Sequence, residues 1–428
     1  MGVDLRQVVA GALTLTMFVM LGNMIKRDHF DSVENDQVVF VKEKLPGGAS
    51  NFENERATLS EQVAGNFLRK SGGLWNEDGQ QLKPCWDKPV LGDVEPTGGF
   101  VTMSLTNGPE YHVSQITNAV VVARYLGATL VLPDIRGSKP GDEMSFGDIY
   151  DVEKFLKSLD GVVRVAKVQP AEVSTRNLAV VKVPNLVTED YIVEHVVPTY
   201  KQKGNIRLAT YFPSVNMRKS AEKVSGESVA CLAMFGTLHL QPEIQEVVDS
   251  MVDRLRTLSR KLDGQFIAVD LRVEMLEKKG CREKGDTGAK SCFNAEEVAI
   301  FLRKTGFDKD TPVYVTESRW QSSLDALKDL FPKTYTKESI MPAEKKKFLD
   351  SEGSEYEKVI DFFVCSQSDV FVPALSGLFY SNVAGQRIAA SRTQILVPAN
   401  LAHSSASASR FISPYVSKKN HVAYSCFC

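Results

Sequence analysis

Three clusters in this chain place reactive residue types beside the end of an expected strand. Asp270-Leu271-Arg272 closes the apolar run FIAVDLRV (266–273), so a carboxylate and a guanidinium emerge where a buried strand stops. A fixed guanidinium makes paired hydrogen bonds to phosphate or carboxylate oxygens. The same Arg272 could equally form a structural ion pair with Asp270 or Glu274. The second cluster, Asn107-Gly108-Pro109-Glu110-Tyr111-His112, occupies a strand-to-helix turn. Glu110 has the chemistry of a general base, provided a substrate hydroxyl comes within hydrogen-bond reach; the plainer reading is an exposed turn glutamate. His112 is a weaker candidate. The third cluster, Ser368-Asp369-Val370-Phe371-Val372-Pro373, runs through Ser376-Gly377 into a helix. Helix N-termini present free amides and partial positive charge, which gives phosphate binding there a mechanism.

Other chemistries find less support. Asp308-Lys309-Asp310 is formally a D-x-D triplet, but it lies in a charged loop just past Gly306 and reads as surface. No Cys-x-x-Cys pair, G-x-G-x-x-G loop or Ser/His/Asp set in nucleophile context occurs, and no metal site is expected.

The elements that must position these residues follow from periodicity. Residues 116–126 are almost all apolar or small and predict a helix buried on most sides, closed by Gly127. A short strand around Val131 follows and is stopped by Pro133. An amphipathic helix is predicted over 244–262. Beyond it the pattern alternates: strand 266–273, a helix from Asn294 and Glu297 to Gly306, strand 312–318, helices 322–331 and 355–365, strand 370–375 and helix 376–386. Strands separated by helices imply parallel βαβ units. The expected architecture is α/β, with two Rossmann-like domains at 81–240 and 241–428 facing a cleft.

The chain has 428 residues, enough for two domains, and its net charge of −2 gives no electrostatic case for nucleic acid as a partner. Lys345-Lys346-Lys347, flanked by Glu344 and Asp350, reads as a solvated helix face. Residues 8–25 carry no charge and lie between Asp4/Arg6 and Lys26-Arg27. At ~1.5 Å per residue they reach roughly 27 Å, just a bilayer core, so a transmembrane signal anchor is expected, with residues 1–7 as a tail and 26–80 as a stem. A cleavable signal peptide is the competing reading. Seven cysteines permit up to three bridges and one spare thiol in an oxidising compartment. Cys281 and Cys292, bracketing a polar loop, are the expected pair, and Cys426-Phe427-Cys428 is expected to fray at the chain end.

The wording of three stretches is more specific than their pattern. NAVVVARYLGATLVLPD (118–134), FGDIYDVEKFL (146–156) and SDVFVP (368–373) resemble the plant O-fucosyltransferase-like family over most of residues 95–400. The first 30 residues and VDLRVE resemble one branch of it, the mannan-synthesis-related proteins, associated with Golgi glucomannan. The resemblance implies a GT-B-like enzyme without metal or cofactor. It would transfer a sugar with inversion from a nucleotide donor, GDP-fucose or another GDP-sugar, to a glycan acceptor. It also implies a single-pass type II protein of the Golgi membrane with its body in the lumen, and a mannan synthase as a partner. Carried onto this sequence, Arg272 would bind the donor's β-phosphate, with Asp270 and Leu271 beside it. Asn107 and Gly108 would approach the nucleotide sugar. NGPEY is similar to the Asn-x-Pro-Glu loop of protein O-fucosyltransferases, which makes Glu110 the catalytic base. Asp369 would face the base or ribose, and Ser376 and Gly377 the phosphates. The family has His-x-Arg where this chain has Asp270. That carboxylate could orient Arg272, mark an altered donor or mark lost activity. A non-catalytic partner of a mannan synthase and a protein O-fucosyltransferase are the alternative functions.

Overall fold

The computed structural model describes residues 74–75, 81–88, 97–137, 143–171, 173, 178–219, 227–279, 283–284, 289–290, 292–349, 354–399, 401 and 406–428. The expected anchor at 8–25 and most of the expected stem lie outside the described residues. Among the described residues no helix is long and apolar enough to cross a membrane.

Two parallel sheets organise the fold. The first contains β1 (Phe100–Thr102), β2 (Thr129–Val131), β3 (Val165–Ala166), β4 (Ala179–Pro184) and β5 (Asn205–Tyr211), in the order β3-β2-β1-β5-β4. The second contains β6 (Ile267–Asp270), β7 (Val313–Val315), β8 (Thr334–Tyr335) and β9 (Val370–Pro373), in the order β8-β7-β6-β9. Every pairing within these two sheets is parallel. β6 and β9 are buried at every position, as expected for strands covered on both faces. Pro133 ends β2 within the first sheet, and the chain resumes at Asp134–Arg136 in a separate three-stranded sheet with Ser104–Thr106 and Glu143–Ser145.

Helix α1 (Pro109–Tyr125) is buried at all positions except Tyr111, Arg124 and Tyr125, and Gly127 follows it at φ 62°. It therefore sits inside the molecule rather than on it. Helix α2 (Pro242–Leu258) buries Ile244, Val247, Val248, Met251, Val252 and Leu255 on one face. Helix α3 (Ala295–Lys304) begins with the Asn294/Glu297 capping box. Helix α4 (Glu355–Gln367) precedes β9, and helix α5 (Leu378–Ala389) follows it. The Lys345–Lys347 segment is a short 3-10 turn, with Lys345 and Lys347 paired to Glu246 and Glu243 of α2.

Two expectations about the periphery are corrected. The chain end does not fray: Cys428 is bridged to Cys85 and Cys426 to Cys231, and Lys83 and Cys428 exchange backbone hydrogen bonds of 3.0 and 2.9 Å. The tail thus returns to Cys85 and Cys231, and the Val422 amide also donates to the Met217 carbonyl at 2.9 Å. The tail also touches α5: the Tyr415 hydroxyl lies 2.8 Å from Ser381 Oγ and His421 Nε2 3.0 Å from the Ser381 carbonyl. Sequence spacing could not reveal the bridges, because they join residues 343 and 195 positions apart. At the other end Leu74 is buried, and Trp75 meets Phe307 edge-on at 5.1 Å, so this part of the expected stem packs on the second sheet's unit. Cys292 is disulfide-bonded, Cys281 lies outside the described residues, and Cys365 is a buried free thiol.

Candidate active site

The Glu110 turn is built by backbone strain that only particular residues tolerate. Asn107 and Gly108 both take positive φ, 68° and 97°, and Pro109 opens α1. A Cβ on Gly108 would lie 2.8 Å from Glu110 Oε2 and 3.1 Å from Lys358 Cδ, so the position admits no side chain without displacing the glutamate. Gln115, one turn further along α1, ties the helix to the preceding strand. Its Oε1 accepts from the Thr106 amide at 3.1 Å, and its Nε2 donates to Thr106 Oγ1 at 2.9 Å.

Glu110 is not the exposed turn residue that the plainer reading expects. It is buried, and among the described residues its Oε2 has no hydrogen-bond partner. Burial raises its pKa from 4.5 to about 7, opposed by the positive charges of Arg272 and Lys358 and reinforced by Asp270. The Glu110 carboxylate on the first sheet's helix therefore senses charges carried by the second sheet and by α4. Behind it His112 is fully buried, with Nδ1 2.8 Å from the Tyr150 hydroxyl. Burial and the nearby Lys358 push its pKa down to about 3, so it is neutral and unsuited to accept a proton near pH 7. Glu355 ties this layer together: Oε1 accepts from Lys358 Nζ at 2.7 Å, and Oε2 lies 3.8 Å from His112 Nε2.

The second sheet brings Arg272 to the same region, just past the C-terminal end of β6. Asp270 is fully buried and grips the guanidinium, with Nη2 donating to Oδ2 at 3.1 Å and Nε 2.9 Å from Oδ1. Thr316 Oγ1 steadies Asp270 at 3.2 Å and also accepts from the Leu271 amide at 3.0 Å. The guanidinium carbon sits 4.8 Å over the Phe379 ring in the first turn of α5. Burial raises the Asp270 pKa, with Arg272 opposing, so the pair's attraction has to offset the loss of solvation. The ion pair with Asp270 read from sequence is thus present, yet the Arg272 side chain remains 30% exposed. Only Nη2 makes a hydrogen bond to Asp270; Nε is close to Oδ1 as an ion pair without hydrogen-bond geometry. Among the described residues no protein acceptor bonds Nη1, which leaves it available as a donor.

Ser376 and Gly377 lie at the same strand ends. Pro373 of β9 is in register with Asp270, and the Ala374 amide donates to the Asp270 carbonyl at 3.0 Å. Gly377 caps α5 at φ 150°, and the first turn of that helix carries Phe379 against Arg272. Leu271 is buried and contributes its backbone only.

Asp369 is a correction. It stands at the opposite end of β9, four residues or ~13 Å from the Arg272 end. There it accepts from the Phe266 amide at 3.0 Å and pairs with Arg256 at 3.2 Å. Its role is to lock the N-terminal edge of β6 to α2, because ligands in parallel sheets sit at the carboxyl ends.

Four residues at the site were not singled out from sequence: Phe379, Thr316, Lys358 and Glu355. Each lies distant in sequence from Glu110 and Arg272, and no local pattern ties it to them. Asp308 and Asp310 are exposed, and the Asp310 amide donates to Asp308 Oδ1 at 2.7 Å in a local turn. Among the described residues no group of three His, Cys, Asp or Glu is placed to hold a metal ion.

The profile of the family described as GDP-fucose protein O-fucosyltransferase matches residues 107–390. Over 431 aligned residues covering all of both chains, the sequence is 60% identical to "Protein MANNAN SYNTHESIS-RELATED 1" of Arabidopsis thaliana. It is 49% identical to "Protein MANNAN SYNTHESIS-RELATED" of Trigonella foenum-graecum over 99% of each. O-fucosyltransferase 11 of Arabidopsis thaliana is 27% identical over 69% of this chain and 57% of that protein. A crystal structure of POFUT1 in complex with GDP-fucose matches with a TM-score of 0.44 and 14% identity, over 71% of this chain and 98% of that one.

Proposed function

The chain belongs to the GDP-fucose protein O-fucosyltransferase family, and from that membership we propose that it is an inverting, metal-independent glycosyltransferase of plant wall mannan synthesis, using a GDP-linked sugar. The mannan assignment rests on the names of the relatives that align along the whole chain. The observation that carries the reading is the meeting of Glu110 and Arg272. A carboxylate and a guanidinium, supplied by different sheets, lie near enough for each to shift the other's pKa, which supports their acting as base and phosphate-binding cation on one substrate pair.

In this reaction the acceptor hydroxyl gives its proton to ionised Glu110 as its oxygen attacks the anomeric carbon. The bond from that carbon to the diphosphate breaks on the far face, and its electron pair leaves on the β-phosphate oxygen. Arg272, through Nη1, and the amides at the start of α5 stabilise the charge that develops there. Asp270 holds the guanidinium against Phe379, so it is oriented before the donor arrives. The two bridges, Cys85–Cys428 and Cys231–Cys426, favour an oxidising compartment. That supports placing the body in the Golgi lumen, behind an anchor at residues 8–25.

The test is GDP release from a panel of GDP-sugars by the purified lumenal protein, with soluble mannan as acceptor. Acceptor-dependent release that Arg272→Ala abolishes supports the proposal. Failure to bind any nucleotide sugar overturns it. A non-catalytic partner of a mannan synthase is the second reading. It is favoured by the Asp270 grip, which puts a buried carboxylate beside the proposed diphosphate site.

A further inference from the structure

We propose that a strip of aromatic side chains running outward from Glu110 is a binding track for a neutral acceptor glycan, an inference that rests on the transferase reading above. Tyr111, the residue after Glu110, meets Phe212 edge-on at 4.8 Å. Phe212 follows Tyr211, the last residue of β5, which is 43% exposed. The Tyr211 hydroxyl meets that of Tyr191. The Tyr191 ring stacks on His195 at 4.2 Å with planes only 10° apart. Val193, on the same turn, is 49% exposed.

The segment carrying Tyr191 and His195 is also irregular. The Val197 amide bonds the Ile192 carbonyl five residues back, a widened turn of the kind that recurs at functional sites. An exposed apolar strip beside a candidate site calls for an occupant, and the geometry indicates where an acceptor must go. Its reactive hydroxyl has to reach Glu110, while the donor takes the ends of β6 and β9. The rest of the acceptor therefore leaves over the C-terminal edge of the first sheet, where Tyr211 stands.

Planar aromatic faces suit the apolar C–H faces of pyranose rings and demand no conformational adjustment. The charges closest in sequence to Tyr191 and His195 select the class of glycan. Glu189, Asp190 and Glu194 are all exposed carboxylates and outnumber the exposed Lys182, whose carbonyl accepts from the Tyr191 hydroxyl at 3.1 Å, so the strip disfavours a uronic-acid polymer over a neutral one.

The experiment measures binding of manno-oligosaccharides and soluble mannan without any nucleotide, with polygalacturonate as the anionic control. Tyr211→Ala and His195→Ala are compared with wild type. Both positions are exposed, so the variants should fold, and an unchanged GDP-binding isotherm checks this. Each substitution should weaken mannan binding about tenfold, the worth of one good aromatic contact, with GDP affinity unchanged. Unchanged mannan affinity in both variants overturns the track, as does wild-type protein that prefers polygalacturonate or binds neither polymer. Mannan binding lost in the variants, in a protein that never releases GDP, supports the track and sinks the transfer reaction instead.

Discussion

Replacing Glu110 with glutamine should make the protein more stable and inactive at the same time. The native carboxyl has a pKa of about 7 against an ordinary 4.5, because burial disfavours its charge more than Arg272 and Lys358 favour it. Between those two values the folded state binds more protons at this group than the unfolded state does, so stability falls as pH rises. A separation of 7 − 4.5 = 2.5 units corresponds to about 3 kcal/mol lost above pH 7. Glutamine keeps the shape and carries no charge, so it avoids that loss. For 428 residues the unfolding entropy is about 0.9 kcal/mol per degree. Glu110→Gln should therefore melt roughly 3 to 4 °C above wild type at pH 8, with the gap closing toward pH 4.5. Differential scanning calorimetry across that range measures it. Turnover should fall about 10²- to 10⁴-fold, the usual contribution of a positioned base. In wild type, kcat/KM should drop on the acid side with an apparent pKa near 7, as Glu110 becomes protonated. A melting gap that does not change with pH, or a glutamine variant less stable at pH 8, refutes the burial argument.

Four further outcomes are expected. Arg272→Ala should cost ~3 kcal/mol of transition-state stabilisation, read in kcat/KM for GDP release, as for loss of one oxyanion donor. Asp270→Asn should lower kcat by loosening Arg272 while GDP binds no worse, since a carboxylate leaves the diphosphate site; steady-state kinetics beside GDP titration calorimetry separates the two effects. Gly108→Ala should abolish turnover without unfolding the protein, because φ 97° and a contact of 2.8 Å to Glu110 Oε2 both oppose a side chain; activity with circular dichroism checks it. Removing Cys231–Cys426 by paired serines should destabilise the protein by about 2–5 kcal/mol in denaturant melts, since the bridge closes a loop of 195 residues.

Much of the scaffold was legible in the sequence because local physics fixes it. The apolar run around 267–270, the turn at Gly127, the capping box at Asn294 and the Asn107-Gly108-Pro109 punctuation each encode their own conformation. Strands alternating with helices then leave few arrangements other than parallel sheets. Glu110, Asp270 and Arg272, whose charges influence one another, and Ser376 and Gly377, just past the strand paired with Asp270, all flank strand ends in the sequence pattern. Which end of its strand a residue flanks was harder to read. Asp369 and Ser376 border the same strand, but only strand direction within the sheet separates the ligand edge from the far edge.

The sequence by itself determined the elements, the chemical inventory and the family wording, because each depends on neighbours in the chain. Tertiary structure alone decided the charge state of Glu110, the grip of Asp270 on Arg272, the Phe379 plate beneath it and the bridges that tie the tail to Cys85 and Cys231. Those depend on burial and on contacts between residues far apart in sequence, and a carboxylate's pKa is set by the solvent it loses and the charges it gains, neither of which is written in its neighbours.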